Sequence, residues 1–379
     1  MAFRQISFIR AADSNYICEQ KETMTQWRSS RLLWIVLLIA ACNVESDDRW
    51  QYDAVGEFGD VVVLTDQMTW GQHRTLIDSV FGRPLPGIAG TEPFFTIRPS
   101  DESNFDGYFK KNYNVFILLQ RDRWNRMKDL FTNGLQQKIE SKFNPDGLVV
   151  FKLEDVWAKP QRVHFILSPS EDMTVKTLQN KRGSLLQQAL ETECETTSVT
   201  LLDNKPEKDT FLNRMLEEKG YAIRKPITYR LSVSSEECTG IMRDMNGKRL
   251  GMYFYEEPYT DQKQFSSSYI IGRRNDVLGR HLTGSQRADS VPTFMSTDTV
   301  NVKLFRRQFE LNGLYAIETR GWWEMENDYM AGPFVNYTVL DTKNNRVITM
   351  DGNIFAPGKE KGRLIRQLYV LASTFKLKE

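Results

Sequence analysis

Hydrophobic and polar positions follow two different periods along the first part of the chain. Continuous apolar runs bounded by turn residues predict buried strands at residues 60–65 (DVVVLT) and 114–119. Apolar positions at helical spacing predict helices at residues 69–81, 124–143 and 173–190. Because strands and helices alternate, we expect residues 56–200 to form an α/β-type domain.

The last part of the chain has more strand patterns. Turn residues separate predicted strands at residues 300–304, 315–320, 333–340 and 346–355. An amphipathic helix is predicted to close the chain, and a polar loop around residue 205 separates this part from the first. We therefore predict a second, α+β domain over residues 207–379. The predicted fold is α+β, with two α/β-type domains that contain mixed to antiparallel sheets and packed helices.

An N-terminal lipoprotein signal is predicted ahead of these domains. Ten apolar residues run from Leu32 to Ala41, and Arg28 and Arg31 precede them. A membrane span needs about 20 apolar residues, so this run is too short for one. Positive residues followed by a short apolar run and small residues are typical of a secretory signal.

The end of the apolar run resembles the lipobox of bacterial lipoproteins. Small residues at positions 40 and 41 are followed by Cys42, the expected site of lipidation. Residues 1–23 do not suit a signal peptide, so we interpret residues 1–41 as an upstream extension plus a signal peptide that starts at Met24. Residues 42–55 are then an acidic linker, in which Ser46 and the acids after it resemble a Bacteroidota export signal. We expect anchoring in the outer membrane, on the periplasmic face or at the cell surface.

The overall charge is nearly balanced. The chain has 50 Lys and Arg residues against 49 Asp and Glu residues, a net charge of +1. Nucleic-acid-binding proteins normally carry a basic patch or stripe, and this balance gives no support for such a partner. The 40% hydrophobic and 12% aromatic content is enough for a substantial core.

Two cysteines, Cys194 and Cys238, remain in the predicted globular part. The oxidising environment of an envelope permits a disulfide between them. Acidic neighbours disfavour a thiolate at either position, which makes a reactive nucleophile a poor interpretation. We expect either a disulfide or two buried thiols, since spacing alone cannot show that the two residues meet.

The densest unusual segment is ETRGWWEMENDYMAGPFV, residues 318–335. Together with the upstream GEFGDVVVLTD and the closing GNIFAPGKEKGRLIRQL, it resembles an uncharacterised lipoprotein family of the Bacteroidota, domain of unknown function 4837. The resemblance covers most of residues 56–375. The family usually has two glycines where this chain has Ala331-Gly332. It implies a lipoprotein of a Bacteroidota envelope and implies no activity.

This segment has two interpretations. As a binding site, its aromatic rings would stack on a glycan or a peptide and its polar groups would supply hydrogen bonds; the candidate residues are Arg320, Trp322, Trp323, Glu324, Glu326 and Asp328. As a structural segment, it would send at least one tryptophan into the core, because adjacent strand residues face opposite ways. Large aromatic side chains more often fill cores, so both interpretations stay open.

No stretch specifies a reaction. Motifs of zinc proteases, redox dithiols, serine hydrolases and phosphate loops are absent from the sequence, and its three histidines are isolated. We therefore expect no metal or other cofactor and predict a lipid-anchored, non-enzymatic binding or scaffolding protein of the envelope. Its expected partners are the membrane, an envelope protein complex, and a glycan or peptide. The alternative is an envelope enzyme that processes carbohydrate or peptide with paired carboxylates such as Glu318 and Glu326.

Overall fold

The computed structural model of the chain describes residues 51–57, 59–202, 210–284 and 291–378. The predicted signal, Cys42 and most of the acidic linker lie outside the described residues. These features therefore stay predictions from the sequence.

The first half of the described chain, residues 51–202, is built around a mixed sheet. Its elements are β1 (Tyr52–Asp53), β2 (Asp60–Leu64), α1 (Gln67–Phe81), β3 (Thr96–Ser100), α2 (Gly107–Lys110), β4 (Asn114–Gln120), α3 (Trp124–Met127), α4 (Asn133–Glu140), β5 (Val149–Glu154), β6 (Ala158–Lys159), β7 (Arg162–Ser168), α5 (Glu171–Asn180) and α6 (Arg182–Leu201). The sheet order is β3-β2-β4-β7-β5, with only β5 antiparallel to its neighbour. Strands β2 and β4 are buried throughout, as their apolar runs predict. Helices α1, α5 and α6 cover one face, and α3 and α4 cover the other.

The predicted helix at residues 124–143 is wrong as a single element. The chain forms the short helix α3, turns, and restarts as α4, with Phe131 in an extended conformation between them. Thr132, Asn133 and Gly134 follow, and such residues favour helix caps and turns over helix interiors. The Phe131 ring stacks on Trp124 at a centroid distance of 5.8 Å, so the apolar pattern reflects packing in the core.

The second half, residues 210–378, is built around an eight-stranded antiparallel sheet. Its elements are α7 (Thr210–Glu218), β8 (Tyr221–Ala222), β9 (Arg230–Ser234), β10 (Thr239–Met245), β11 (Lys248–Pro258), α8 (Ser267–His281), β12 (Phe294–Asp298), β13 (Phe305–Leu311), β14 (Leu314–Glu326), β15 (Ala331–Asp341), β16 (Arg346–Phe355), α9 (Gly362–Ser373) and β17 (Lys376–Leu377). The sheet order is β12-β14-β15-β16-β11-β10-β9, and β13 also pairs with the long strand β14. The predicted strand at residues 300–304 is wrong, because the chain bends there between β12 and β13.

The antiparallel sheet has two differently covered faces. Helix α8 packs against one face, beside Tyr253, Tyr255 and Phe334. Helix α9 packs against the other face, where Phe254 and Val335 join the hydrophobic cluster of the first half. One apolar core therefore runs from the mixed sheet through α9 to the antiparallel sheet. The α+β fold class is as predicted, and within the described residues no helix has the length and apolarity needed to span a membrane.

Of the two alternatives left open for Cys194 and Cys238, the structure has two free cysteines and no disulfide between them. Cys194 lies on α6 near Ser373 of α9, on one face of the antiparallel sheet. Cys238 lies in the cluster on the opposite face, with Tyr253 and Tyr255. The sheet separates the two thiols, and burial raises the pKa of Cys238 to about 12. Cys238 therefore acts as a small core side chain, and Cys194 is partly buried.

A candidate ligand-binding pocket beside Trp323

The two adjacent tryptophans lie on strand β14, which forms a hairpin with β15. Strand alternation sends them to opposite faces of the sheet: Trp323 is 3% exposed, whereas Trp322 is only half-buried. Trp323 faces the α8 side, and its Nε1 donates a hydrogen bond to the carbonyl oxygen of Ile354 at 3.1 Å. The six candidate binding residues therefore do not form one surface.

Arg320 does not belong to an exposed binding site. Its side chain is 6% exposed and forms a close ion pair with Glu318, which is fully buried and also pairs with Arg307 at 2.6 Å. Burial opposes ionisation of Glu318, but the two arginines hold its pKa below the ordinary value. Glu318 is thus committed to a structural triad, and the predicted catalytic pairing of Glu318 with Glu326 is not available.

Glycines opposite aromatic residues explain much of the sequence of this hairpin. Gly321 is paired across the sheet with Phe334, and a Cβ on Gly321 would lie 2.7 Å from the Phe334 ring. Gly332 is paired with Trp323, and a Cβ there would lie 1.9 Å from the carbonyl oxygen of Ile354. The glycines give the large rings room to lie across the neighbouring strand.

A cavity of about 470 Å³ opens on the α8 side of the sheet, next to the C-terminal end of α8. This volume is within the usual range for small-molecule sites. Its walls include three aromatic rings and four methionines from five strands and one turn: Tyr253, Trp323, Phe355, Met242, Met295, Met325 and Met330. We call it the Trp323 pocket.

Tyr253 of β11 forms another part of the wall. A Cβ on Gly240 or on Gly251 would lie 2.6 Å from the Tyr253 ring, so this ring also lies flat across glycines. Phe355 lies beside Trp323, with the ring centroids 6.4 Å apart. The apolar surface of the pocket is therefore built from rings that the sheet holds in place.

A buried polar network supports the floor. Arg274 of α8 is fully buried; its Nη2 donates to Asn353 Oδ1 at 2.6 Å, and its Nε lies 3.2 Å from Asp351 Oδ2. Asn353 also donates to Asp351 Oδ1 at 3.0 Å. Burial raises the pKa of Asp351 although Arg274 is adjacent. Because Arg274 also lies over the Phe334 ring, at 4.0 Å from its centroid, α8 is fixed to the sheet beside the pocket.

Polar groups stand at the rim. Arg249 lines the pocket and donates to Asp244 at 2.8 Å, and this bond together with one from Arg230 lowers the pKa of Asp244. His281 also lines the pocket, with its Nε2 at 3.3 Å from Glu237. An apolar interior with a few polar groups at the edge suits a ligand that is apolar along most of its length.

The candidate carboxylates are divided between the faces. Glu324 and Glu326 lie on the face opposite Trp323, where Glu326 accepts a hydrogen bond from Ser296 at 2.7 Å. Partial burial, followed by the charges of Asp298 and Glu326, raises the pKa of Glu324. Asp328 lies in the hairpin turn close to Gly284, a residue of the pocket wall. Trp323 thus lines the pocket and Asp328 lies near its edge.

Sequence patterns did not indicate the remaining wall residues. Tyr253, Met242 and Met295 come from separate strands, and only the sheet order brings them together. The Gly251-x-Tyr253 spacing is a local signal that was available, because a glycine two residues from an aromatic on one strand face provides space for the ring. Among the described residues, no group of three His, Cys, Asp or Glu side chains is arranged to hold a metal ion.

Two family models match different parts of the chain. Residues 208–374 match the model described as Domain of unknown function (DUF4837). This part of the chain belongs to the DUF4837 family. The matched range contains both the hairpin and the whole Trp323 pocket. Residues 54–201 match a different model, Domain of unknown function (DUF8532), so the DUF4837 resemblance predicted over residues 56–375 is divided between two families.

Solved structures show only partial similarity. A crystal structure from Bacteroides thetaiotaomicron has 5% identity and a TM-score of 0.23, and the match spans 42% of this chain and 46% of that one. A mutant form of the protein Mog1 has 7% identity and a TM-score of 0.28, with 42% and 92% of the two chains covered. LpqN, a protein involved in cell envelope biogenesis of Mycobacterium tuberculosis, has 15% identity and a TM-score of 0.26, with 42% and 83% covered. No curated protein matches the sequence.

Proposed function

We propose that this protein is a non-enzymatic binding lipoprotein of the cell envelope, and that the Trp323 pocket holds an amphipathic molecule with a long, flexible apolar part. The observation that carries the proposal is the composition of the pocket wall, which contains three aromatic rings and four methionines. Methionine is unbranched and polarisable, so it adapts to apolar ligands of variable shape.

The arrangement of the pocket supports a linear ligand. Its wall includes residues of β9, β10, β11, β16, β14 and β12. Adjacent strands are about 4.8 Å apart, so the six steps from β9 to β12 in the sheet order correspond to roughly 29 Å measured along the sheet. A ligand lying across the strands would place its apolar part over Tyr253 and Trp323 and its polar end among rim groups such as Arg249.

Envelope anchoring is the second part of the proposal, and it rests on the sequence around Cys42. Diacylglyceryl transfer to this thiol, cleavage before it and acylation of the new amino terminus would supply enough acyl chains for stable anchoring in the outer membrane. Cys42→Ala should abolish labelling with a palmitate analogue and release the protein from membranes or leave it unprocessed. Absence of label in the wild-type protein would contradict the anchor.

Binding is tested with 11-(dansylamino)undecanoic acid, whose dansyl group accepts excitation energy from tryptophan. We expect saturable energy transfer with a soluble form that lacks residues 1–42. Met242→Glu places a charge in the pocket wall, and an unpaired buried charge is costly, so binding should weaken by about tenfold or more. Met68→Glu is the matched control, because Met68 is 45% exposed on α1 of the first half.

Two results would contradict the proposal. One is an absence of saturable binding in the wild-type protein. The other is an equal loss of affinity in Met242→Glu and Met68→Glu, since the probe would then be bound at the surface rather than in the pocket.

A further inference from the structure

A second cavity, of about 460 Å³, lies in the first half of the chain, on the far side of the core from the Trp323 pocket. It is lined by Gly56, Glu57, Asp60, Arg98, Tyr108 and Phe109. Asp60 begins strand β2 and Arg98 lies on β3, so the sheet fixes the floor, while α2 supplies the two aromatic rings.

Asp60 organises the cavity. Its carboxylate is 1% exposed and accepts hydrogen bonds from Tyr108 Oη at 2.7 Å, Arg98 Nε at 3.0 Å and Arg363 Nη2 at 3.0 Å. Burial, with help from Asp60, raises the pKa of Tyr108 to about 12. The Tyr108 hydroxyl therefore stays protonated and donates to Asp60, and its oxygen can still accept a hydrogen bond from a ligand.

The charges around the cavity balance. Arg98 and Arg363 face Asp60 and Glu57, and Arg363 also forms a close ion pair with Glu57. With two guanidinium groups against two carboxylates, the cavity has no excess charge that would favour an anion or a cation. A neutral hydroxyl group both donates and accepts, so it can satisfy Glu57 and Arg98 together.

An exposed aromatic wall completes the cavity. Tyr108 is 40% exposed, and its ring meets the ring of Phe109 edge-on at a centroid distance of 5.8 Å. Aromatic faces pack well against the apolar C–H surface of a ring-shaped ligand. We propose that this cavity binds one ring of an uncharged oligosaccharide, stacked on Tyr108 with hydroxyl groups held between Glu57 and Arg98.

This proposal does not depend on the function of the Trp323 pocket. The sequence predicted a glycan at the tryptophan segment. We assign a glycan to the cavity beside Tyr108 instead, because hydrogen-bond acceptors, donors and an aromatic face lie together there.

The test is calorimetric titration of the soluble protein with uncharged hexasaccharides: cellohexaose, maltohexaose, mannohexaose and chitohexaose. Cationic hexaglucosamine and anionic hexagalacturonate serve as charged counterparts. We expect at least one uncharged sugar to bind and neither charged sugar to bind more tightly. Tyr108→Ala should weaken binding by about tenfold, through the lost stacking surface and hydrogen bond. Tyr108→Phe, which keeps the ring, should lose less.

Tyr269→Ala is the matched control. Tyr269 is 38% exposed and, like Tyr108, donates its hydroxyl hydrogen bond to a carboxylate, that of Glu257 at 3.0 Å, but it lies on α8. Arg98→Lys provides a second variant if Tyr108→Ala fails to fold. It should weaken binding because lysine lacks the planar guanidinium group and its paired N–H donors. Failure of all four uncharged sugars to bind, tighter binding of a charged one, or equal losses in the Tyr108 and Tyr269 variants would overturn the proposal.

Discussion

Trp323 has two roles that depend on the same geometry. Its ring is 3% exposed and packs with Phe334 and Met325 in the core on the α8 side. Its edge lines the Trp323 pocket, and its indole nitrogen is held by the carbonyl of Ile354. Trp322 shares neither contact, because the strand turns it to the other face.

The two tryptophans should therefore respond differently to truncation. Trp323→Ala removes a buried ring and leaves a cavity, which should lower the free energy of unfolding by about 3 to 5 kcal/mol. Trp322→Ala removes a half-buried ring, so the loss should be clearly smaller. Urea denaturation of both variants, followed by circular dichroism, gives the comparison, and equal losses would show that Trp322 is also a core residue.

Paired glycines and aromatic rings shape the strands around the pocket. Three cross-strand pairs recur on the α8 face of the sheet: Gly321 with Phe334, Gly332 with Trp323, and Gly240 with Tyr253. A Cβ on Gly321 or Gly240 would lie 2.7 or 2.6 Å from the facing ring, and one on Gly332 would lie 1.9 Å from the carbonyl oxygen of Ile354 and 3.2 Å from Trp323 Nε1. The pocket wall therefore depends on residues that have no side chain.

Gly332→Ala should test this dependence. The new Cβ would overlap the carbonyl oxygen of Ile354, which belongs to backbone and cannot rotate away. We expect the free energy of unfolding to fall by at least about 2 kcal/mol, because overpacked sites force shifts of the backbone.

Gly272→Ala is the control for this substitution. Gly272 lies on α8, and a Cβ there would have nothing within 4 Å. Alanine is favoured over glycine in a helix interior by about 0.5 to 1 kcal/mol, so this variant should be slightly more stable than wild type. A Gly332→Ala variant with the same free energy of unfolding as the wild type would contradict the packing argument.

Local features were predictable from the sequence, whereas three-dimensional neighbours mostly were not. Buried strands such as β2 were predictable because a continuous β-branched run bounded by turn residues is typical of a buried strand. The break in the helix at Phe131 was missed because its apolar spacing also fits a helix. Arg320 was mistaken for a binding residue because nothing in its neighbouring sequence shows that Phe94, from the first half, lies beside its guanidinium group. The pocket was only partly predictable for the same reason: its wall comes from many strands, and Trp323 was the one wall residue predicted.

Helix α9 joins the two halves of the chain. Acidic residues of the first half meet its N-terminal part: Glu92 accepts hydrogen bonds from the backbone of Lys361 and Gly362, Asp60 accepts from Arg363, and Glu193 pairs with Arg366. Carboxylates are favourable at a helix N-terminus. The apolar core below these contacts is continuous, so we expect the halves to unfold together.

The ion pair of Glu193 and Arg366 is one of these contacts between the halves, and its contribution to stability can be measured. Both residues are buried, and burial raises the pKa of Glu193 and lowers the pKa of Arg366. Glu193→Leu or Arg366→Met alone leaves an unpaired buried charge, which should cost about 3 to 5 kcal/mol. The double variant should cost less than either single variant in urea denaturation. Additive losses would show that the two charges do not depend on each other.

Photocrosslinking with a diazirine-bearing fatty acid tests the location of the ligand directly. The protein is irradiated with the probe, digested, and mapped by mass spectrometry, with and without excess oleic acid. We predict competed crosslinks on the peptides that contain Met242, Tyr253, Met295, Trp323, Met325 and Met330, which line the Trp323 pocket. Crosslinks that oleic acid does not compete, or that fall mainly on surfaces away from these peptides, would contradict the proposal that this pocket binds an amphipathic ligand.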